Sequence, residues 1–280
     1  MSSILNNVAA LNASRQLGIT GGNLQQTIER LTTGKRINKA SDDAAGLAIG
    51  NKLNADIKIA TQAQRNANDG VSYLQVADGA LDSVTQLLTR ASQLAQQAQT
   101  GTISDSNRAN LDAEFQNIIK TMGNIGISTK FNGTAIFSST AGSTTSVAVQ
   151  AGDYGSLTVS LGSVATASTA ALGLVSNGTT GDNLASSTAA GSVVSKLAAA
   201  LESVSTMRAS IGANEAQLNA TSDILGVQVQ NFTAASSQIM DANIADEVVN
   251  LTKFQILNQS GTSALAKSNQ SSQQILALLQ

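Results

Sequence analysis

Asp42 and Asp43 are adjacent carboxylates in a turn-rich stretch, TTGKRINKASDDAAG at 32–46. Such a pair could serve acid–base chemistry or help hold a cation. Either role needs further ligands or a partner base, and no second carboxylate cluster lies at a spacing that completes a site. The chain has no His and no Cys. That removes Cys/His metal sites, thiol nucleophiles and the usual general base near neutral pH. The pair reads better as a helix start, with Ser41 as N-cap and both aspartates in the first turn, where carboxylates oppose the positive end of the helix dipole. Gly18, Gly21 and Gly22 faintly suggest a phosphate loop. No strand precedes them and no Lys-Ser or Lys-Thr follows at the required spacing, so they read as flexible or closely packed positions. Arg90 and Glu114 read as solvated helix charges. No catalytic, cofactor-binding or metal-binding residue is assigned, and no enzyme is expected.

The elements behind these residues are long helices. Leu74, Ala77, Leu81, Val84, Leu88, Ala91 and Ala95 alternate spacings of three and four, as do Leu111, Phe115, Ile118, Met122 and Ile125. Leu197, Leu201, Val204, Ile211, Leu218, Leu225, Val229 and Phe232 keep a similar seven-residue repeat. Such a repeat writes a narrow apolar seam that is buried only against another helix. Arg208, Glu215 and Ser222 interrupt the late seam, and polar interruptions can fix register at some cost in stability. Apolar residues make up 42% of the chain, but much of this is Ala, which favours helix and buries little area per residue. Pro is absent, which suits uninterrupted helices.

A net charge of −2 argues against broad attraction to nucleic acid or acidic membrane. No window offers about 20 successive apolar residues for a membrane span. The N-terminus, MSSILNNVAALNASRQL, lacks a basic start followed by an apolar run, so no cleaved secretory signal is expected.

Along the chain, residues 1 to about 35 read as amphipathic helix and 32–46 as a connector in which Gly34 could cap a helix C-terminus. A long helix follows from about Asp43 to Thr100, with an interruption near Asn68–Gly70. A second runs from about Asp105 to Thr129, with Ser104 or Asp105 at its cap. FNGT at 131–134 suits a tight turn. Val147 and Val149, then Leu157, Val159 and Leu161, alternate with polar neighbours around AGDYG at 151–155 and predict a β-hairpin. Helical seams return from about Ala189 to Phe232 and in the last segment. The fold class is mainly α: a long antiparallel helical bundle or coiled coil formed by the N- and C-terminal halves, with a small β-hairpin region in the middle.

The sequence resembles bacterial flagellin. LTTGKRINKASDDAAGLAIG at 31–50, QRNANDGVSYLQVADGAL at 64–81, FNGT at 131–134, MRASIGANEAQL at 207–218 and DEVVNLTKFQILNQSGTSALAKSNQSSQQILALLQ at 246–280 carry the likeness. It covers about 1–137 and 190–280. The resemblance implies a subunit of a helical flagellar filament outside the cell, exported through the flagellar type III channel without a cleaved signal. It implies these parts: 1–42, N-terminal inner-core helix and connector; 43–137, N-terminal half of the outer bundle; 138–189, a short variable region; 190–234, C-terminal half of the outer bundle; 235–280, C-terminal inner-core helix. Ile4, Val8, Leu11, Val248, Leu251, Leu265, Leu276 and Leu279 are then expected in inner-core assembly. Leu74, Leu81, Leu88, Phe115, Ile118, Leu201, Ile211 and Leu225 are expected to hold the outer bundle. The implied partners are further copies of the chain, the filament cap and hook–filament junction proteins, and an export chaperone at the C-terminal segment. Arg90, Leu94 and Glu114 match family positions that contribute to recognition by the flagellin-sensing Toll-like receptor of animal hosts. A hook–filament junction protein shares the terminal helices, and a flagellin-like surface adhesin is a further alternative. The long motif matches and the small middle region favour the filament subunit.

Overall fold

The computed structural model describes residues 7–137, 145–150, 156–161, 174 and 182–277. Among these residues the elements are α1 (Val8–Thr33), α2 (Ala44–Gln99), α3 (Asp105–Ser128), β1 (Lys130–Phe131), β2 (Thr134–Ala135), β3 (Thr145–Gln150), β4 (Ser156–Leu161), α4 (Ser187–Met240) and α5 (Ile244–Ala277). The chain forms two compact units: unit 1 is Met1–Lys58 with Gln230–Gln280, and unit 2 is Ile59–Val229.

Unit 2 is built on an apolar seam. Leu74, Leu81, Leu88, Phe115, Ile118, Ile211 and Leu225 are all buried. Most of them join one core drawn from α2, α3 and α4, which also takes in Ile136, Phe137, Leu174 and Leu184. Leu225 belongs to a smaller cluster with Ala60 and Ala63. Leu201 departs from expectation: it is 37% exposed, and the neighbouring Ala200 is the buried residue. The α2–α4 seam is close-packed, and a small side chain one step away fills the position that the heptad spacing gave to Leu201.

The interruption expected near Asn68–Gly70 is absent, and α2 runs unbroken through it. A Cβ on Gly70 would stand 3.0 Å from both Leu218 Cδ1 and Val149 Cγ2. Gly70 is therefore a place of close approach by α4 and β3, not a helix break. Between β1 and β2, Asn132 (φ 49°) and Gly133 (φ 80°) form a two-residue hairpin turn with both central residues left-handed. Tyr73 stacks edge-on against Phe131 with centroids 5.7 Å apart, and its hydroxyl donates to the Ile136 carbonyl at 3.4 Å. Burial raises the Tyr73 pKa. β3 and β4 pair antiparallel from Thr145↔Leu161 to Gln150↔Ser156, as the alternation predicts. The expected turn at 151–155 lies outside the described residues.

Helix ends follow local chemistry. Ser104 caps α3 through Asn107 N, and Gly34 ends α1 with φ 70° while its amide donates to Arg30 O at 2.8 Å. The start of α2 differs from the sequence reading. Asp43, not Ser41, is the cap, accepting from Gly46 N at 2.9 Å. Asp42 stays outside the helix and ties the connector together. It accepts from Asn38 N at 3.1 Å, Lys39 N at 3.0 Å and Gln26 Nε2 at 3.0 Å. The two backbone donors hold the Asp42 carboxyl below its usual pKa.

Candidate assembly surface

Unit 1 is organised around the α1–α5 pair, and its contact chemistry is unlike that of unit 2. The buried residues of α1 are Thr20 and Thr27. Both are polar, and Thr20 returns its hydroxyl to Gln16 O at 2.9 Å. Glu247 is the buried residue contributed by α5. It accepts from Arg30 Nη1 at 3.2 Å across the pair. Arg30 Nε and Glu247 Oε2 are both buried without a hydrogen-bond partner. At the far end Asn7 Nδ2 donates to Ser268 O at 3.2 Å, while the Ser268 hydroxyl reaches Asn7 Oδ1 at 3.3 Å. Asn7 Oδ1 also accepts from Ala10 N at 3.0 Å and so caps α1.

Small residues let the two helices approach. A Cβ on Gly261 would lie 3.2 Å from Leu17 Cδ1. A shallow cavity of about 270 Å³ sits beside this contact, lined by Ala13, Leu17, Thr20, Leu257, Gly261 and Ala264 among others. The junction with the rest of unit 1 is held by backbone. Arg36 N donates to Met240 O at 2.6 Å, and Ala242 N to Gly34 O at 2.9 Å. The Arg36 guanidinium adds a bond to Ile239 O at 2.9 Å.

Several large apolar side chains of α1 and α5 are exposed, while Leu17, Leu24 and Leu31 of α1 and Leu251, Phe254 and Leu265 of α5 are half-buried. Leu11 is 72% exposed and Ile256 69%. Val8, Ile19, Ile28, Ile244, Val248, Val249 and Leu257 are also exposed. At about 100° per residue, the five on α5 spread over roughly 220° of the helix circumference. Of the expected inner-core residues, Val8, Leu11 and Val248 are exposed, and Leu251 and Leu265 are half-buried. Ile4, Leu279 and the side chain of Leu276 lie outside the described residues. The seam spacing of α1 did not reveal that Thr20 and Thr27 would be its most buried residues, beside half-buried Leu17, Leu24 and Leu31. The only signal was the frequency of small and hydroxyl residues in both segments.

Arg90, Leu94 and Glu114 come together in unit 2, but not as one surface. Arg90 Nε and Nη2 both donate to Glu114 Oε1, at 2.9 and 2.7 Å. Leu94 is 1% exposed and belongs to the core. It therefore differs in exposure from the two charges, which stand at the surface. Among the described residues there is no group of acidic, His or Cys side chains placed to hold a metal, and no helix long and apolar enough to cross a membrane.

These features define a mainly helical protein in two units, one with an internal apolar core and one that leaves many aliphatic side chains exposed. Comparison with known proteins gives the family. The family model for the bacterial flagellin N-terminal helical region matches residues 4–142, and that for the C-terminal helical region matches 194–279. A flagellin of Halalkalibacterium halodurans is 35% identical over 276 residues, 99% of each chain. The flagellar filament 30.7 kDa core protein of Treponema maltophilum is 36% identical over 282 residues, again 99% of each. The crystal structure of Bacillus cereus flagellin is similar at 28% identity with a TM-score of 0.49, over 61% of this chain and 94% of that one. The chain belongs to the bacterial flagellin family.

Proposed function

We propose that this chain is the structural subunit of a bacterial flagellar filament, outside the cell, and that it works by polymerising with copies of itself. The observation that carries this reading is the outward placement of Leu11, Val248, Val249 and Ile256 on a helix pair whose fully buried residues, among those described, are Thr20, Thr27 and Glu247. Aliphatic side chains exposed to that degree are covered in the working state. Their spread around α5 favours neighbours on several sides over one flat partner or a membrane surface. Identical copies meeting head to tail through contacts that do not close generate helical filaments. The filament core protein among the relatives supports the same reading.

In this proposal the protein performs no chemistry. Its interfaces hold a stiff tube that turns motor torque into thrust. Subunits leave through the flagellar type III channel, with an export chaperone at the C-terminal segment, and join at the tip beneath a cap protein. Ile4, Leu251, Leu265, Leu276 and Leu279 join the exposed residues in the inner core. Since little apolar surface is buried between α1 and α5, these helices gain most of their stability on assembly.

The test is electron microscopy of purified protein after seeding with filament fragments. Micrometre-long filaments are expected. A short zone that stops growing would identify a hook–filament junction protein instead. A protein that stays monomeric on native seeds refutes the reading. Hydrogen exchange on the monomer is expected to show 8–33 and 244–277 far less protected than 74–125, with protection rising on polymerisation.

A further inference from the structure

The apolar seam between α2 and α4 repeats every seven residues, and by itself it does not choose one alignment of the two helices. Gly70 meets Leu218. A slide of one heptad would bring Ile211 or Leu225 to the same place, and apolar would still face apolar. The polar contacts across the seam all fall on a single alignment. The Ser222 hydroxyl donates to Asn68 Oδ1 at 3.2 Å. Fourteen residues further along α2, and fourteen back along α4, Arg208 Nη1 donates to Asp82 Oδ1 at 3.0 Å. Seventeen further in each direction, a Cβ on Gly191 would stand 3.2 Å from Gln99 Nε2.

We propose that Arg208 is the positioning residue that selects this register. Its Nε and Nη2 reach both carboxylate oxygens of Asp78, at 2.8 and 3.2 Å, while Nη1 takes Asp82. The planar guanidinium is thus used on two sides, and such forked, charge-assisted contacts are the most geometrically demanding hydrogen bonds a side chain makes. After a one-heptad slide the fork faces Val71 and Gln75, or Thr85 and Thr89. None of these is a carboxylate. The other polar contacts discriminate less. Ser222 would find Thr61 or Gln75 in place of Asn68, each able to hydrogen-bond a hydroxyl. At the start of α4, Ser187 donates to Gln99 O at 2.9 Å and Asp112 accepts from Leu184 N at 2.7 Å. Both contacts use a backbone group that every residue offers.

The consequence for function rests on the filament reading. A polymer of identical copies needs every copy in the same register, and a slipped α4 would be displaced by about 10 Å along α2.

The native chain has no cysteine, so paired cysteines report the register without background. Asn68→Cys with Ser222→Cys reads the native alignment. Thr61→Cys with Ser222→Cys, and Gln75→Cys with Ser222→Cys, read the two slipped ones. Each pair is oxidised in the full-length monomer, and bond formation is followed by peptide mass spectrometry. With Arg208 present, the 68–222 bond is expected alone. With Arg208→Met, at least one slipped bond is expected to rise from undetectable to a yield comparable with the native one, and Arg208→Lys is expected to fall between. A second variant, Asp78→Asn with Asp82→Asn, removes the partners while keeping the arginine and is expected to match Arg208→Met. Native-only bonding in these variants overturns the proposal. So does loss of helical circular dichroism in both, because Arg208 would then be needed to fold at all and not to choose a register. The readout is on the monomer, so a failure to polymerise leaves it unaffected.

Discussion

In unit 2 the large apolar side chains are inside: Leu74, Leu81, Leu88, Phe115 and Ile119 are each at most 1% exposed. In unit 1 the fully buried residues of α1 and α5, among those described, are Thr20, Thr27 and Glu247, while Leu11 and Ile256 are largely exposed and Leu17 and Leu251 only half-buried. Both regions are long helices from the same chain, with similar low charge and abundant Ala. Helix formation therefore says little about what a helix is for. What separates the two is whether the seam is completed within the chain. Unit 2 closes its own core. Unit 1 leaves much of the hydrocarbon of α1 and α5 for something else to cover.

Truncating one side chain from each unit should break the symmetry between them most sharply. Phe115→Ala or Leu81→Ala removes a fully buried side chain and should cost about 2–5 kcal/mol in denaturant unfolding. Leu11→Ala or Ile256→Ala should change the same unfolding curve by no more than about 0.5 kcal/mol, as a surface change does. The second pair should instead abolish or slow filament growth on seeds. Equal destabilisation by both pairs would erase the distinction between the units.

A smaller effect is expected from acid at the connector of unit 1. Asp42 has its pKa lowered by the amides of Lys39 and Asn38. A depressed folded-state pKa means that the contribution is present above the unfolded value near 3.8 and is lost as pH falls through the lower folded one. Amide exchange in 34–43 should therefore accelerate below about pH 4 before the core of unit 2 responds. Asp42→Asn should show the faster exchange already at neutral pH. An acid response in 34–43 that is identical in Asp42→Asn would assign it to another carboxylate.

The smallest effect belongs to the exposed pair on unit 2. Arg90→Ala removes two hydrogen bonds to Glu114, but the side chains are 53% and 45% exposed. The loss should be at most about 1 kcal/mol and should shrink with added salt. A larger loss would mean that the pair braces α3 against α2.

Much of this fold was legible in the sequence because heptads, caps and turn residues act locally. The long helices, the left-handed Asn132–Gly133 turn and the β3–β4 pairing all follow from patterns within a few residues. Most of the misreadings share a cause: they turned on a partner distant in sequence. Gly70 looked like a helix break until Leu218 and Val149 were placed against it. Leu201 looked like a seam residue, but the seam takes Ala200. Among Ser41, Asp42 and Asp43, any could cap a helix, and only the donors at Asn38, Lys39 and Gln26 assign Asp42 to the connector. In the candidate assembly surface the exposed residues were legible as apolar, but their direction was not. That depends on which faces α1 and α5 present to each other.

Thr20 and Thr27 also bear on how the terminal helices can be parted. Opening the α1–α5 pair would uncover hydroxyls and an ion pair, along with aliphatic side chains such as Leu17 and Leu251 that are already part-exposed. A chain held with these helices apart thus gains little additional greasy surface over one with them together. The separated helices are accordingly less prone to transient clumping than an unzipped seam of fully buried leucines would be.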